Sequence, residues 1–200
     1  LDDVMVALYQ NGEAVRPGQG YPMRLFCPGW EGNVSVKWLT QIKVTQEPAQ
    51  FRDETSKYTD TLQNRSSYQF PFPMGTKSLI TSPSGEMTLS QPGIYQITGI
   101  AWSGRGSVRQ VEVSADGGKT WAEAAIQGHQ LDRALTRFTI PWEWNGGEAI
   151  LQSRATDSRG NIQPTRSDVI ASRGTLSFYH NPCIQSWQVD PAGEVRNVYV

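Results

Sequence analysis

A length of 200 residues allows one sizeable domain or two small ones. The formal net charge of -1 excludes a general nucleic-acid-binding surface, because binding phosphate backbones needs a concentrated positive field. No apolar run approaches the length of a membrane-spanning helix, so we expect neither a membrane span nor a nucleic-acid partner. The abundance of Gly, Pro, Thr and aromatic residues favours a mostly β protein.

The first residues of the chain predict a helix. Leu1, Val4, Met5 and Leu8 recur at helical spacing, and an Asn-Gly pair closes the pattern. The chain begins with Leu instead of Met, and we therefore expect a fragment, a processed product or a trimmed chain.

The two cysteines, Cys27 and Cys183, lie far apart and form no C-x-x-C or Cys/His cluster. Their number permits a disulfide without arguing for one, and no metal-ligand pattern is present. We therefore predict no metal-ligating residue in this chain.

Residues 20–39 predict a hairpin of two short strands, in which Pro-Gly and Gly-Asn dipeptides supply the turn. Alternation along the strands places Arg24, Ser35 and Lys37 on one face and apolar side chains on the other. Two cations and a hydroxyl suit a phosphate or another polyanionic group, because charge-assisted hydrogen bonds are strong. A solvated strand face with scattered charges is the alternative that the pattern leaves open.

The remainder of the chain divides into a connector and a run of strands. Gln41–Val44 predicts the end of a strand, and the polar segment from Thr45 to about Ser67 predicts a long connector. The candidate strands beyond residue 73 are Ser78–Thr81, Gly93–Trp102, Val108–Ser114, Arg137–Trp142, Ala149–Ala155, Asp168–Ser172 and Trp187–Val189. Seven short strands separated by turns predict an immunoglobulin-like β-sandwich.

Several separated motifs resemble those of the sulfite oxidase family. The sequences Gly20-Tyr-Pro-Met-Arg24, Pro28-Gly-Trp30 and Ser35-Val-Lys-Trp-Leu39 are similar to the end of its molybdopterin-binding domain. The motifs Ala101–Gly104, Val111–Trp121, Ser153–Asp157 and Asn161–Pro164 are similar to the dimerisation domain that follows. The resemblance implies the end of a molybdopterin-binding α+β domain, with its connector, in residues 1–72. It implies an immunoglobulin-like dimerisation domain in residues 73–200.

The resemblance also implies a set of cofactor-binding residues. Carried over position by position, the contacts to the pyranopterin and its phosphate fall on Arg24, Ser35, Val36 and Lys37. Gln19 stands where other members have a cofactor-contacting His, and an amide can still donate and accept hydrogen bonds there.

Arg173 is the candidate catalytic residue. In the family, an Arg-Gly pair at this place supplies an arginine from the dimerisation domain to the pocket for the substrate oxyanion, which suits an arginine fork. An arginine exposed to solvent at the end of a strand is the alternative. Cys27 is expected to pack in the core, because the family's molybdenum-ligating Cys lies well upstream of this hairpin.

A finer resemblance, to the molybdenum subunits of the bacterial sulfur-oxidation (Sox) pathway, is carried by Pro28–Gly32, Glu54–Asp60, Leu151–Asp157, Ser177–Asn181 and Ile184–Trp187. It implies the C-terminal portion of a periplasmic, molybdenum-dependent enzyme that oxidises sulfite or protein-bound sulfane sulfur and passes electrons to a cytochrome c. It further implies a homodimer, and inactivity of this portion alone. A non-catalytic dimerisation or assembly module is the alternative function.

Overall fold

The computed structural model describes residues 3–52, 55, 58–70, 72–176 and 180–200. It divides into two compact units, the first comprising Leu1–Met74 with Arg173–His180 and the second comprising Gly75–Ser172 with Asn181–Val200. The resemblance assigned all of residues 73–200 to one domain, whereas the structure places Arg173–His180 in the first unit. The motif residues Glu54, Ser56, Lys57 and Ser177–Tyr179 lie outside the described residues, as does Leu1 of the predicted helix.

The first unit is built from short antiparallel strand pairs. Its strands are β1 (Met5–Ala7), β2 (Tyr9–Gln10), β3 (Glu13–Ala14), β4 (Arg24–Phe26), β5 (Thr59–Thr61) and β6 (Ser67–Gln69). β1 pairs with β4, β2 with β3, and β5 with β6. Two short 3-10 helices, Pro17–Gln19 and Gly32–Val34, lie on either side of β4 in the sequence.

Four local predictions for this unit are wrong. The predicted N-terminal helix is strand β1, which pairs with β4 so that Met5 lies opposite Phe26. The predicted second strand of the hairpin begins in the 3-10 helix Gly32–Val34, and Gln41–Val44 forms no strand. The predicted connector contains the β5–β6 hairpin. Strand β1 pairs with β4, which lies outside the window that a local pattern can read, and β5 and β6 have 3 residues each, too few for a readable period.

A small aromatic cluster holds the middle of the first unit together. Phe72 stacks on Trp30 with ring centroids 5.7 Å apart, and Tyr58 and Phe70 lie 6.4 and 5.4 Å from the same ring. Backbone hydrogen bonds reinforce the contact, since the Glu31 N–H donates to the Phe72 carbonyl at 2.8 Å. The chain before residue 35 is therefore fixed to the chain around residue 72.

The second unit contains two antiparallel sheets. Its strands are β7 (Lys77–Ser82), β8 (Gly93–Trp102), β9 (Val108–Ser114), β10 (Ala122–Glu123), β11 (Ala125–Gln127), β12 (Thr136–Trp144), β13 (Ala149–Asp157), β14 (Ser186–Val189) and β15 (Val195–Val198). One sheet has the order β10-β9-β13-β14-β15 and the other the order β11-β12-β8-β7. The mostly β class predicted from the sequence is confirmed, while the immunoglobulin-like assignment stays a prediction.

The two sheets enclose one hydrophobic core, as expected of a sandwich. Ile97 and Phe138 of one sheet and Val111 and Leu151 of the other are at most 1% exposed and belong to the same cluster. Gly99 makes room for the Phe138 ring, because a Cβ at this position would lie 2.2 Å from the ring. A side chain at residue 99 would therefore displace the centre of the core.

Six of the seven candidate strands are present, and the seventh is a helix. The predicted strand Asp168–Ser172 lies inside helix α1, which spans Arg166–Arg173. A reciprocal cap starts this helix: the Asp168 N–H donates to the Thr165 hydroxyl, and the Thr165 N–H donates to the Asp168 carboxylate. The run of apolar residues in the middle of the helix is also typical of a short buried strand. The cap at Thr165 favours the helix over the strand. Among the described residues, no helix is long and apolar enough to cross a membrane.

Asp157 is a buried hub at the end of β13. Its carboxylate is 0% exposed and accepts hydrogen bonds from the Thr76 and Ser103 hydroxyls at 2.9 and 2.8 Å and from the Asn161 N–H at 2.9 Å. Burial by itself raises the pKa of Asp157, but the hydrogen bonds from Asn161, Ser103 and Thr76 outweigh it and lower the pKa to about 2. The ionised carboxylate is therefore part of the folded structure.

Replacing Asp157 by Asn tests this role. We expect Asp157→Asn to lower the free energy of unfolding at pH 7 by about 2 kcal/mol, because the variant loses charge-assisted hydrogen bonds. The folded-state pKa lies below the ordinary value of 3.8, so the wild-type chain keeps this contribution above about pH 4 and loses it as the pH falls towards 2. Urea unfolding followed by circular dichroism between pH 7 and pH 3 measures both effects. Asp132→Asn, at an exposed aspartate, is the matched control. Equal losses of unfolding free energy in the two variants would contradict the stabilising role of Asp157.

Candidate functional site

The turn that carries Gln19 packs against the backbone at Lys37. Gln19 ends the 3-10 helix Pro17–Gln19, and Gly20 follows it with a φ of 114°. A Cβ on Gly20 would lie 3.0 Å from the Cα of Lys37. The absence of a side chain at Gly20 therefore permits both the left-handed conformation and the close approach of the two backbones.

Two side-chain hydrogen bonds cross this contact. The Lys37 ammonium donates to the Gly18 carbonyl at 3.0 Å, and the Trp38 indole N–H donates to the Pro17 carbonyl at 3.0 Å. The Lys37 Nζ also lies 5.1 Å from the centroid of the Trp38 ring. Lys37 stays exposed, and its ammonium has two further N–H donors for a ligand.

Arg24 joins the same turn from strand β4. Its Nη1 donates to the Gln19 carbonyl at 3.2 Å, and its Nη2 donates to the Ser35 carbonyl at 3.0 Å. Its Nε is buried and has no hydrogen-bond partner among the described residues. An orphaned N–H on a cation is an unusual cost, and an anionic ligand oxygen would remove it.

Ser35 and Val36 contribute mainly through the backbone. The Ser35 side chain is buried and accepts a hydrogen bond from the Cys27 N–H at 3.1 Å, and the Val36 carbonyl accepts one from the Leu25 N–H at 2.9 Å. These bonds keep the segment beside β4 although it forms no regular strand. The Ser35 hydroxyl can still donate its own hydrogen.

The structure brings the five cofactor-binding candidates together in the first unit. Within the part of the chain that the structure describes, the charged members Arg24 and Lys37 hydrogen-bond only to neutral backbone carbonyls, and no carboxylate belongs to the group. A pocket of about 250 Å³ lies beside Arg24 and is also lined by Met5, Tyr9 and Phe26, but not by the other four candidates. This donor set fits the phosphate of a pyranopterin cofactor, which is the role that the resemblance implies.

Arg173 is also part of the first unit, at the end of α1. Its Nη1 lies 3.4 Å from the Oδ2 of Asp60 in β5, and the Asp60 side chain is 2% exposed. The guanidinium is one-third exposed, which differs from the free strand-end arginine considered as an alternative. Among the described contacts, none joins Arg173 to Arg24 or Lys37.

Sequence reasoning missed two acidic partners. Asp60 binds Arg173, and Glu31 binds His180, with the Nδ1 of His180 2.7 Å from the Oε1 of Glu31. Both residues lie in motifs of the finer resemblance, Pro28–Gly32 and Ser177–Asn181, but neither motif indicates that they meet. Because 149 residues separate the second pair, no local pattern could have joined its members.

Cys27 lies in the interior of the first unit. It is 7% exposed, its Sγ lies 3.7 Å from the Val34 carbonyl, and burial raises the pKa of its thiol. These features fit a core cysteine and disfavour the thiolate form that binds metals. Among the described residues there is no group of three or more His, Cys, Asp or Glu side chains that could hold a metal ion.

Two protein families match the chain. The oxidoreductase molybdopterin binding domain matches residues 1–52, and the Mo-co oxidoreductase dimerisation domain matches residues 69–186. The second match covers more than half of the chain. It supports the assignment of the sandwich unit to the dimerisation domain.

Two sulfite oxidases and a sulfane dehydrogenase are similar to this chain over most or all of its length. A sulfite oxidase of Gallus gallus is 32% identical over 88% of this chain and 41% of that protein, and one of Arabidopsis thaliana is 31% identical over 88% and 49%. The crystal structure of the sulfane dehydrogenase SoxCD from Paracoccus pantotrophus superimposes with a TM-score of 0.95 at 46% identity, over 100% of this chain and 51% of that chain. The chain thus spans about half the length of these relatives. It belongs to the sulfite oxidase family of molybdopterin oxidoreductases, whose cofactor is the molybdenum cofactor.

Proposed function

We propose that the chain is the C-terminal portion of a molybdenum-dependent enzyme that oxidises sulfite or protein-bound sulfane sulfur and passes the electrons to a cytochrome c. The observation that carries this proposal is the group of cationic donors around Arg24 and Lys37, with one buried donor left open. A homodimer through the second unit and a periplasmic location belong to the same proposal.

The residues of the first unit would hold the cofactor by its anionic groups. Arg24 is fixed between two backbone carbonyls and offers its buried Nε, and Lys37 is fixed to the Gly18 carbonyl and offers its remaining ammonium donors. Ser35 and Val36 hold the segment in place, and Gln19 supports Arg24 through its carbonyl. When bound, the molybdenum cofactor supplies the two-electron oxidation, in which sulfur gains an oxygen atom from water.

Arg173 would orient the substrate. A guanidinium presents five N–H donors in a planar fork that matches two oxygens of a sulfite-like anion. The contact with Asp60 uses Nη1, so donors on the rest of the fork remain for a ligand. Its contribution would be to align the anion instead of supplying free positive charge, because Asp60 already offsets its charge.

A non-catalytic assembly module is the second candidate, and the match to a dimerisation domain favours it. In that case the cation group would be a remnant without a cofactor. The two candidates differ in one measurable quantity, the molybdenum content of the complete protein.

Lys37→Met in the complete protein tests the cofactor site. We expect the variant to bind the molybdenum cofactor about tenfold more weakly, because one charge-assisted hydrogen bond contributes roughly 1.5–3 kcal/mol. Metal analysis of the purified protein measures the molybdenum content, and circular dichroism checks the fold. Lys43→Met, which changes an exposed lysine in the same segment, is the matched control. Full molybdenum content in both variants would argue against the assigned site.

Arg173→Met tests the substrate role in the complete, molybdenum-loaded protein. We expect the KM for sulfite to rise about tenfold or more with molybdenum content unchanged, because a charge-assisted fork is lost. Arg173→Lys keeps the charge without the fork and should recover only part of the affinity. Steady-state kinetics measures both variants, and an unchanged KM for Arg173→Met would remove Arg173 from the proposal.

The 200-residue chain alone should be inactive. The family's molybdenum-ligating Cys is expected upstream of the hairpin, and the buried Cys27 is a poor substitute for it. We expect the purified chain to bind no stoichiometric molybdenum and to oxidise no sulfite. Stoichiometric metal with turnover would refute this expectation.

A further inference from the structure

The segment Arg173–His180 belongs to the first unit, although the residues on both sides of it belong to the second. Its first residue is Arg173, which orients the substrate oxyanion in the proposed function. Three described contacts of this segment can each be changed by a single substitution. The contacts that fix the segment therefore determine the position of Arg173.

The first contact is the pair between Arg173 and Asp60. Asp60 lies in β5, where its backbone is held opposite Tyr68 of β6. Its side chain is 2% exposed, and the distance to Nη1 of Arg173 is 3.4 Å. A carboxylate buried to this degree depends on its remaining partners, and removal of one partner from a buried pair is costly. Asp60 therefore restrains one edge of the guanidinium.

The second contact lies at the next residue. Gly174 has a φ of 77°, and a Cβ at this position would lie 3.4 Å from the Cβ of Gln63. The backbone after Arg173 thus turns directly against the chain that follows β5. A side chain at Gly174 would be strained by the left-handed conformation.

The third contact fixes the other end of the segment. The Nδ1 of His180 lies 2.7 Å from the Oε1 of Glu31, and both side chains are 13% exposed. Among the described residues the buried Oε2 of Glu31 has no hydrogen-bond partner, and its Oε1 is the atom that His180 contacts. The Glu31 N–H is in turn bound to the Phe72 carbonyl at 2.8 Å, which ties this end to the aromatic cluster.

We propose that Asp60 and the Glu31–His180 pair are positioning residues, which hold the Arg173–His180 segment on the first unit and thereby set the direction of the Arg173 guanidinium towards the substrate oxyanion. This inference rests on the proposed function of Arg173. Asp60 acts on one edge of the guanidinium itself, and the Glu31–His180 pair acts on the backbone that carries it.

A double-mutant cycle in the complete, molybdenum-loaded protein tests the role of Asp60. We expect Asp60→Asn to raise the KM for sulfite about fivefold with kcat within about twofold, and to add less than about twofold in an Arg173→Met background. Asp132→Asn, which removes the charge of an exposed carboxylate, is the control and should leave the KM unchanged. Additive effects of the two substitutions, or a KM unchanged by Asp60→Asn, would overturn the role of Asp60.

Hydrogen–deuterium exchange tests the segment independently of any activity. We expect Asp60→Asn and His180→Leu each to speed amide exchange in the peptide Arg173–His180 at least about tenfold, because local opening no longer breaks the contact with Arg173 or with Glu31. Peptides from β8 of the sandwich should exchange as in the wild type. Unchanged exchange in the segment would overturn this inference even if the protein oxidises sulfite. Faster exchange in a protein that does not oxidise sulfite would instead refute only the proposed substrate.

Discussion

Neutral backbone carbonyls, not carboxylates, hold the two cations at the centre of the candidate site. Arg24 and Lys37 are fixed by the carbonyls of Gln19, Ser35 and Gly18, and among the described contacts no carboxylate pairs with either side chain. Arg173 is fixed by the Asp60 carboxylate, so the charge of that pair is close to zero. Electrostatic attraction for an anionic group is therefore concentrated at Arg24 and Lys37. Arg173 can orient a bound anion through its hydrogen bonds but adds little net electrostatic attraction. A bound phosphate and a bound oxyanion would thus be recognised by different physical means within one unit.

This arrangement depends on a close backbone contact at Gly20. The turn before it meets the backbone of Lys37 at a distance that leaves no room for a side chain. Trp38 then takes a φ of 52°, which interrupts any regular strand. The same contact explains why the hairpin prediction was wrong while its residues still came together. Alternation along a strand put Arg24, Ser35 and Lys37 on one face, and the structure unites them by a turn and a set of carbonyl acceptors.

The sequence was most informative where strands are long and buried on one face. The bounds of β8 and β9 were predicted to the residue, because alternation over seven or more residues carries a clear period. The short edge strands β10, β11 and β15 were missed, since two to four residues carry no readable period. Helix α1 was predicted to be a strand, because Val169–Ala171 forms a short apolar run and the cap at Thr165 lies outside that run.

Among the site residues, the resemblance supplied the positions and the structure supplied their partners. The pairs that hold Arg173 and His180 span 113 and 149 residues, and neither spacing has a sequence signature. The fold of the first unit decides which carboxylate meets Arg173 and which meets His180, and a single sequence without its relatives shows no pattern for that choice.

The membership of Arg173–His180 in the first unit has a consequence for how the polypeptide can be divided. The chain passes from one unit to the other after Met74, after Ser172 and after His180. A cut at the first of these points alone would leave the short segment attached to the wrong half, with Asp60 and Glu31 deprived of their counterparts. A single junction therefore cannot exchange the sandwich between relatives. A chimera or an isolated domain must keep residues 173–180 with the half that binds them.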